Sequence, residues 1–214
     1  MGIKKNIMNK IKRALISVSN KKNLKPLLRI LKKFKIEIVS SGGTYKKIKN
    51  LGFDCIEVSN FTEFPEILEG RVKTLHPKIH AGILYKRKNK KHLKNIKENN
   101  LNTIDLVIVN FYPFEEVIQN TSNHEKIMEN IDIGGPTMVR AAAKNYNDVT
   151  VITSIDQYDE LLNQLNKNKG STTLEFRKKL SLNAYSETAY YDSLIANYFN
   201  KITNNYFPQK KIFH

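Results

Sequence analysis

The sequence predicts an α/β fold in which a parallel sheet forms the middle of three layers and helices cover both of its faces. Short apolar runs that are typical of strands alternate with helical patterns along most of the chain. The run IDLVIVNFYPF at residues 104–114 is apolar on both faces, which is typical of a strand buried between two layers. A chain of 214 residues is also long enough to bury one substantial core.

Strand and helix patterns divide the chain into five strands and several helices. In chain order, the strands are predicted at residues 13–19, 36–41, 55–58, 104–114 and 148–153. The helices are predicted at residues 22–33, from the GGT segment to residue 51, at residues 155–166 and at residues 172–200. The last helix carries apolar residues at helical spacing, so we expect it to pack on the domain. We divide the chain into a basic extension (residues 1–12), one domain (residues 13–200) and a linker or tail (residues 201–214).

The composition favours a globular protein of the cytoplasm. No apolar stretch is long enough to span a membrane, and the first residues lack the apolar region of a secretory signal. Cys55 is the single cysteine, so an internal disulfide is excluded. The formal net charge of +16 raises the alternative of a basic module that binds nucleic acid. We disfavour nucleic acid as a partner because the lysines are spread along the chain and are not interleaved with aromatic residues.

Polar loops follow the first two predicted strands, at the edge where an open parallel sheet binds its ligands. The first strand ends in Ser17-Val18-Ser19-Asn20-Lys21, the second ends in Ser40-Ser41-Gly42-Gly43-Thr44, and each leads into a helix. Hydroxyl groups, glycine N–H groups, a helix N-terminus and a lysine together suit a phosphate group. In the alternative reading, the Ser and Thr residues only cap the helices.

The segment EGRVKTLHPKIHAGIL at residues 69–84 carries basic residues and two histidines between the third and fourth strands. His76 and His80 are four residues apart, so a metal pair is conceivable. An H-E-x-x-H pattern and further ligands at a convincing spacing are missing from the sequence. We therefore expect no metal, and we expect both histidines to make structural hydrogen bonds.

The segment NIDIGGPTMVRAAAKN at residues 130–145 predicts a helix that begins beside a ligand. A glycine pair and Pro136 mark its first turn, Asp132 stands just before it, and Lys144 lies near its end. We expect one rim to bring together Asp132, the Gly134-Gly135 backbone, Lys144, Lys73, Asn110 and Tyr112. The alternatives are tight helix packing for the alanines and a packed ring for the tyrosine.

Five motifs, in order and spacing, resemble one family. They are SVSNK, SSGGT, GRVKTLHPKIHAGIL, NFYPF and DIGGPTMVRAAAKN. The chain is similar over residues 13–198 to the IMP cyclohydrolase domain of the bifunctional purine biosynthesis proteins. The resemblance implies a methylglyoxal-synthase-like fold without metal or redox cofactor. It also implies the last step of IMP synthesis, the dehydrative ring closure of 5-formamidoimidazole-4-carboxamide ribotide (FAICAR).

The same resemblance assigns roles to individual residues. The 5′-phosphate would be held by Ser17, Ser19, Lys21, Ser41, Gly43 and Thr44. The base and ribose phosphate would lie near Arg71, Lys73 and Thr74. The reacting groups would be surrounded by Asn110, Tyr112, Asp132, Gly134, Gly135 and Lys144. The catalytic residues of this set would be Lys73, Tyr112, Asp132 and Lys144, with Asp132 as the base.

Two departures from the family pattern affect what we expect. Asn20 stands where the family usually has Asp, which changes the charge beside the phosphate loop. The sequence ends about where the family's transformylase domain begins, so we expect no transformylase activity. The candidate partners are the nucleotide, a second copy of the chain in a homodimer, and a separate transformylase.

Three alternatives stay open at this point. The first is another enzyme or effector-binding module of the same fold, such as methylglyoxal synthase, which would need its own catalytic aspartates near the phosphate loop. The second is the basic module that binds nucleic acid. The third is a remnant domain that folds without turning over a substrate.

Overall fold

The computed structural model describes residues 8–203, so parts of the predicted extension (residues 1–7) and tail (residues 204–214) lie outside the described residues. The strands are β1 Met8–Lys10, β2 Arg13–Val18, β3 Glu37–Ser40, β4 Ile56–Glu57, β5 Leu106–Asn110, β6 Thr150–Ile152 and β7 Ser171–Thr173. The helices are α1 Leu24–Lys33, α2 Gly42–Asn50, α3 Val58–Thr62, α4 Pro77–Leu84, α5 Lys90–Glu98, α6 Phe114–Asn120, α7 His124–Glu129, α8 Gly134–Lys144, α9 Tyr158–Lys167 and α10 Leu174–Thr203.

A parallel sheet forms the centre of the domain, as the sequence predicts. Within the described residues it has five strands in the order β4-β3-β2-β5-β6. The chain runs outward from β2 through β3 to β4, and then outward on the other side from β5 to β6. The order therefore reverses between β2 and β5, and a crevice opens at the carboxyl ends of these two strands.

The core lies between this sheet and the helices around it. Leu15, Ile16 and Val107 are fully shielded from solvent at 0% exposure, as expected for strands covered on both faces. Helix α8 packs on β5 and β6, and α10 packs on α8. Ala142 and Ala143 of α8 are buried, and the Ser181 hydroxyl of α10 donates to the Ala143 carbonyl, so the packing interpretation of the alanines is right.

The predicted extension contributes to the fold within its described part. Strand β1 pairs antiparallel with β7, and Ile11 is buried in the core with 2% exposure. The boundary at residue 13 stays a prediction, but residues 8–11 pack on the domain. A fully buried arginine, Arg177 of α10, lies near this small sheet and donates hydrogen bonds to the carbonyls of Thr172 and Tyr146.

Several elements were not predicted from the sequence. Helices α6 and α7 follow β5, and α4 begins at Pro77 inside the segment with two histidines. The side chain of His76 caps α4, because its Nδ1 accepts a hydrogen bond from the Lys78 N–H at 3.1 Å. In the described part of the chain, no helix has both the length and the hydropathy needed to cross a membrane.

Candidate active site

A cleft of about 590 Å³ opens in the crevice at the carboxyl ends of β2 and β5. Four segments line it: the loop after β2, the start of α2, residues 69–74, and the segment from Met128 to the first turn of α8. Asn110 and Tyr112, at the end of β5, complete the wall. Its volume lies within the range of small-molecule sites. The cleft contains every predicted site residue except Lys144.

The N-terminus of α2 forms one end of the cleft and suits an anion. A Cβ on Gly42 would lie 3.0 Å from Lys73 Nζ, and a Cβ on Gly43 would lie 3.8 Å from Lys21 Nζ. Gly42 also adopts a φ of +53°, a conformation that favours glycine. The missing side chain of Gly42 therefore leaves room for the Lys73 ammonium group, and the Lys21 ammonium group lies at ordinary contact distance from Gly43. Both ammonium groups stand at a helix N-terminus, which is itself electropositive. This is the arrangement expected of a phosphate site.

The hydroxyl of Thr44 joins the two polar loops. Its Oγ1 accepts a hydrogen bond from the Val18 N–H and donates one to the Val18 carbonyl, both at 3.0 Å. Thr44 is buried, so this hydroxyl is committed to the backbone of the neighbouring loop. Thr44 can therefore offer a ligand its backbone N–H, whereas its side chain fixes the spacing of the loops.

Asn110 has a similar joining role at the end of β5. Its Oδ1 accepts from the Asn20 N–H at 2.9 Å, and its Nδ2 donates to the Asn20 carbonyl at 3.2 Å. The Asn20 side chain turns away to accept from the Lys22 N–H and does not line the cleft. Asn20 stands where the family usually has Asp, and it therefore removes a negative charge from a position outside the cleft.

Asp132 lines the cleft from the segment just before α8, the helix that packs on β5 and β6, whereas α2 follows β3 on the other side of β2. Its Oδ1 accepts a hydrogen bond from the Gly135 N–H at 2.8 Å, and the Tyr112 backbone N–H also donates to the carboxylate. Burial raises the pKa of Asp132 above its ordinary value, and these two hydrogen bonds oppose that shift. Burial, followed by the charge of Asp132, raises the pKa of Tyr112. The site therefore holds a half-buried carboxylate beside a phenol that stays protonated.

Close contacts explain the glycine pair that opens α8. A Cβ on Gly134 would lie 2.3 Å from Thr74 Oγ1, and a Cβ on Gly135 would lie 2.4 Å from Asp132 Oδ2. Neither position can carry a side chain unless the neighbouring group moves. Both glycines are thus required by the residues of the cleft itself.

The structure corrects the expectation that Lys144 reaches this rim. Lys144 is the last residue of α8, and a helix of this length separates its ends by about 15 Å. It lies in a different depression, with Lys86, Asn145 and Asp148. A basic residue in the last turn is instead well placed against the negative end of the helix.

His80 makes a structural hydrogen bond, as the sequence predicts, whereas Glu129 is a residue that the sequence did not indicate. Burial lowers the pKa of His80, which hydrogen-bonds to the Thr74 backbone, so His80 supports the cleft wall as a neutral side chain. Glu129, the last residue of α7, forms an exposed ion pair with Arg71 on the rim of the cleft. Glu129 could not be selected from the sequence, because nothing in its spacing linked it to Arg71.

Comparison with known proteins identifies the family of the chain. The family described as MGS-like domain matches residues 23–137, which is more than half of the chain. This chain belongs to the MGS-like domain family. The remainder of this MGS-like protein, residues 142–214, matches the family described as AICARFT/IMPCHase bienzyme. The two matches confirm the resemblance that the five motifs predicted and the methylglyoxal-synthase-like fold that it implied.

Curated relatives and a solved structure extend this result. The bifunctional purine biosynthesis protein PurH of Clostridioides difficile is 47% identical over 197 residues, which make up 92% of this chain and 38% of that protein. PurH of Ligilactobacillus salivarius is 49% identical over 201 residues, 94% of this chain and 39% of that protein. The chain thus spans about two fifths of these relatives. The crystal structure of ForH superposes with a TM-score of 0.78 at 30% identity, covering 88% of this chain and 99% of ForH.

Proposed function

We propose that this MGS-like protein is an IMP cyclohydrolase, a hydrolase that acts on cyclic amidines and closes the ring of FAICAR to give IMP and water. The observation that carries the proposal is the single cleft with two unlike ends. At one end lie the N-terminus of α2, Lys21 and Lys73. At the other end lies Asp132, next to the glycine pair that begins α8. A ribotide with a phosphate at one end and the reacting groups at the other fits this polarity. The similarity to PurH, a protein named for purine biosynthesis, supports the same substrate class.

The phosphate end would hold and orient the substrate. The N–H groups of the Gly42–Thr44 turn and the ammonium groups of Lys21 and Lys73 would bind the 5′-phosphate. Arg71 and Thr74 would contact the ribose and base. The carboxamide and formamido groups are then held in line, which removes part of the entropic barrier to their reaction. No metal or redox cofactor has a step in this scheme.

The Asp132 end would carry the proton transfers. The carboxamide nitrogen forms a bond to the formyl carbon and loses one proton to Asp132. The formyl oxygen gains negative charge, for which we propose a backbone N–H at the start of α8 as the donor, since Lys73 lies at the phosphate end and both polar atoms of Asn110 are bonded to the Asn20 backbone. The formamido nitrogen then loses its proton as the C=N bond forms. The oxygen leaves as water with these two protons, and Tyr112 would assist their transfer.

The proposal covers the cyclohydrolase step only. We expect the 214 residues to lack transformylase activity, which a formylation assay with the aminoimidazole carboxamide ribotide would check. A homodimer, an association with a separate transformylase, and a cytoplasmic location are further proposals. Light scattering of the purified chain tests the first, and co-purification tests the second.

The deciding experiment measures IMP formation from FAICAR by the purified chain, followed by absorbance. We expect turnover, together with thermal stabilisation of the chain by IMP. If IMP stabilises the chain but FAICAR is not converted, catalysis is contradicted and an effector-binding module or a non-catalytic remnant is favoured. If IMP has no effect and nothing is converted, the nucleotide site is contradicted as well.

A further inference from the structure

Tyr191 of the long helix α10 reaches the turn that carries Asp132. Its hydroxyl accepts a hydrogen bond from the Asp132 backbone N–H at 2.9 Å. The same hydroxyl donates to the Asn130 carbonyl at 3.3 Å. Tyr191 is buried at 5% exposure, so water has little access to replace either contact. The hydroxyl thus fixes the backbone on both sides of residue 131.

The ring of Tyr191 holds a second wall of the same cleft. It packs against Phe111, with 4.9 Å between the ring centroids, and against Phe114 at 6.2 Å. Phe111 lies between Asn110 and Tyr112, and the Tyr112 backbone N–H donates to the Asp132 carboxylate. One side chain therefore sets the position of the Asp132 backbone and of a donor to its carboxylate.

We propose that Tyr191 is a positioning residue for Asp132: its hydroxyl holds the turn at residues 130–132 so that the carboxylate faces the reacting amide. The inference rests on the proposed function, and it adds a residue outside the cleft machinery described so far. Burial raises the pKa of Tyr191 to about 12, so the hydroxyl keeps its proton at neutral pH and can accept and donate at once.

The position of Tyr191 in the chain gives this contact a wider meaning. Asp132 lies in the part matched to the MGS-like domain, and Tyr191 lies in the part matched to the AICARFT/IMPCHase bienzyme. The catalytic turn is therefore stabilised from the region that is not covered by the MGS-like match.

The test compares Tyr191→Phe with Tyr158→Phe. Tyr158 of α9 is a matched control: it is buried at 3% exposure, its pKa is also raised to about 12, and its hydroxyl has no hydrogen-bond partner among residues 8–203. Both substitutions keep the ring and remove one buried hydroxyl. We expect kcat for FAICAR to fall on the order of tenfold or more in Tyr191→Phe, with KM and IMP affinity within about twofold of wild type. Tyr158→Phe keeps the wild-type kcat.

Three other outcomes would overturn the proposal or separate it from the proposed function. A wild-type kcat in Tyr191→Phe overturns it, and so does an equal loss of kcat in both variants. If the wild-type chain does not convert FAICAR, the proposed function fails, and amide hydrogen exchange then decides the positioning claim. Faster exchange of the Asp132 amide in Tyr191→Phe but not in Tyr158→Phe supports the claim, and unchanged exchange overturns it.

Discussion

The two ends of helix α8 have opposite constructions. The front end, Asp132 to Gly135, faces a cleft, and its two glycines leave space that neighbouring side chains enter. The rear end, Lys144 to Tyr146, is closed by hydrogen bonds: the buried Asn145 side chain donates to the Ile83 and Tyr85 carbonyls at 2.8 and 3.0 Å. Arg177 donates to the Tyr146 carbonyl from the other side.

This difference separates function from packing within one sequence motif. A helix N-terminus presents free N–H groups, so it can bind an anion or orient a carboxylate. A helix C-terminus presents carbonyls, which need donors: Asn145 supplies them to the end of α4, and Arg177 supplies one to Tyr146, just after α8. The single motif DIGGPTMVRAAAKN therefore combines a reactive front end, a packed middle and a structural rear end. Substitutions at the front should change activity, and substitutions at the rear should change stability.

Removal of the front-end carboxylate should have the largest effect. We expect Asp132→Asn to lower kcat by about 10²–10⁴, because the base is lost while the shape of the side chain is kept. IMP affinity should stay within a few-fold of wild type, since the phosphate end is unchanged. Steady-state kinetics with calorimetry of IMP binding checks both. Asp159→Asn, an exposed acid in the first turn of α9, is the control and should behave as wild type. Near-normal turnover by Asp132→Asn would move the role of base to another residue.

A methyl group at the front end should have the next largest effect. In Gly135→Ala the new Cβ would lie 2.4 Å from Asp132 Oδ2, so the carboxylate must move. We expect kcat to fall about 10²-fold, the loss that a displacement of about 1 Å can cause. Gly52→Ala is a useful comparison, because nothing lies within 4 Å of its Cβ position while its φ of +80° imposes backbone strain. Gly52→Ala should have a lower free energy of unfolding than the wild type and an unchanged kcat. A wild-type kcat in Gly135→Ala together with a reduced kcat in Gly52→Ala would contradict the link between Gly135 and the Asp132 carboxylate.

Truncation at the rear end should change stability. Asn145→Ala removes two hydrogen bonds and leaves the Ile83 and Tyr85 carbonyls without this donor. We expect the free energy of unfolding to fall by about 2 kcal/mol, with kcat of the folded protein unchanged. Urea denaturation measures the first and steady-state kinetics the second. Asn99→Ala, where an exposed amide donates to Asn95, should change the unfolding free energy by less than about 0.5 kcal/mol. A loss of kcat in folded Asn145→Ala would break the division between the two ends.

The rim pair should have the smallest effect. Arg71 and Glu129 are both largely exposed, so their ion pair contributes little to stability. We expect Glu129→Gln to change the unfolding free energy by less than about 0.5 kcal/mol. Because Glu129 orients Arg71 at the cleft, KM for FAICAR should change a few-fold and kcat should not. The control is Glu63, an exposed acid that forms an ion pair with Lys78. Glu63→Gln should leave both KM and kcat at wild-type values. An equal KM in the two variants would show that the rim pair has no role in binding.

The sequence predicts the parts of the molecule that depend on neighbours along the chain. Apolar runs predict the strands, and the order of strands and polar loops places Lys21, Gly43 and Asp132 at one edge of the sheet. The same reasoning misplaces Lys144. The first turn of α8 lines the cleft, and Lys144 lies at the opposite end of the same continuous helix, away from the cleft. Local spacing cannot show how far a segment extends in space.

The sequence does not predict contacts between distant segments. Asn20 and Asn110 are 90 residues apart, and Asp132 and Tyr191 are 59 residues apart. Tyr191 reads as one more packing residue on a helix, since the partner of its hydroxyl depends on the crossing of α10 with the turn before α8. Helices α6 and α7 lie in a polar stretch with weak periodicity, so Glu129 could not be located before the fold was known.

Amide NMR mapping of IMP binding tests the division between the two ends of α8 most directly. The account predicts shift changes at the amides of Gly42–Thr44 and of Asp132–Gly135 when IMP is added. The amides of Ala143–Asn145, at the rear end, should not respond. Shift changes centred on the rear end, near Lys86 and Lys144, would contradict the account, because the ligand would then occupy the depression that we assign to structure.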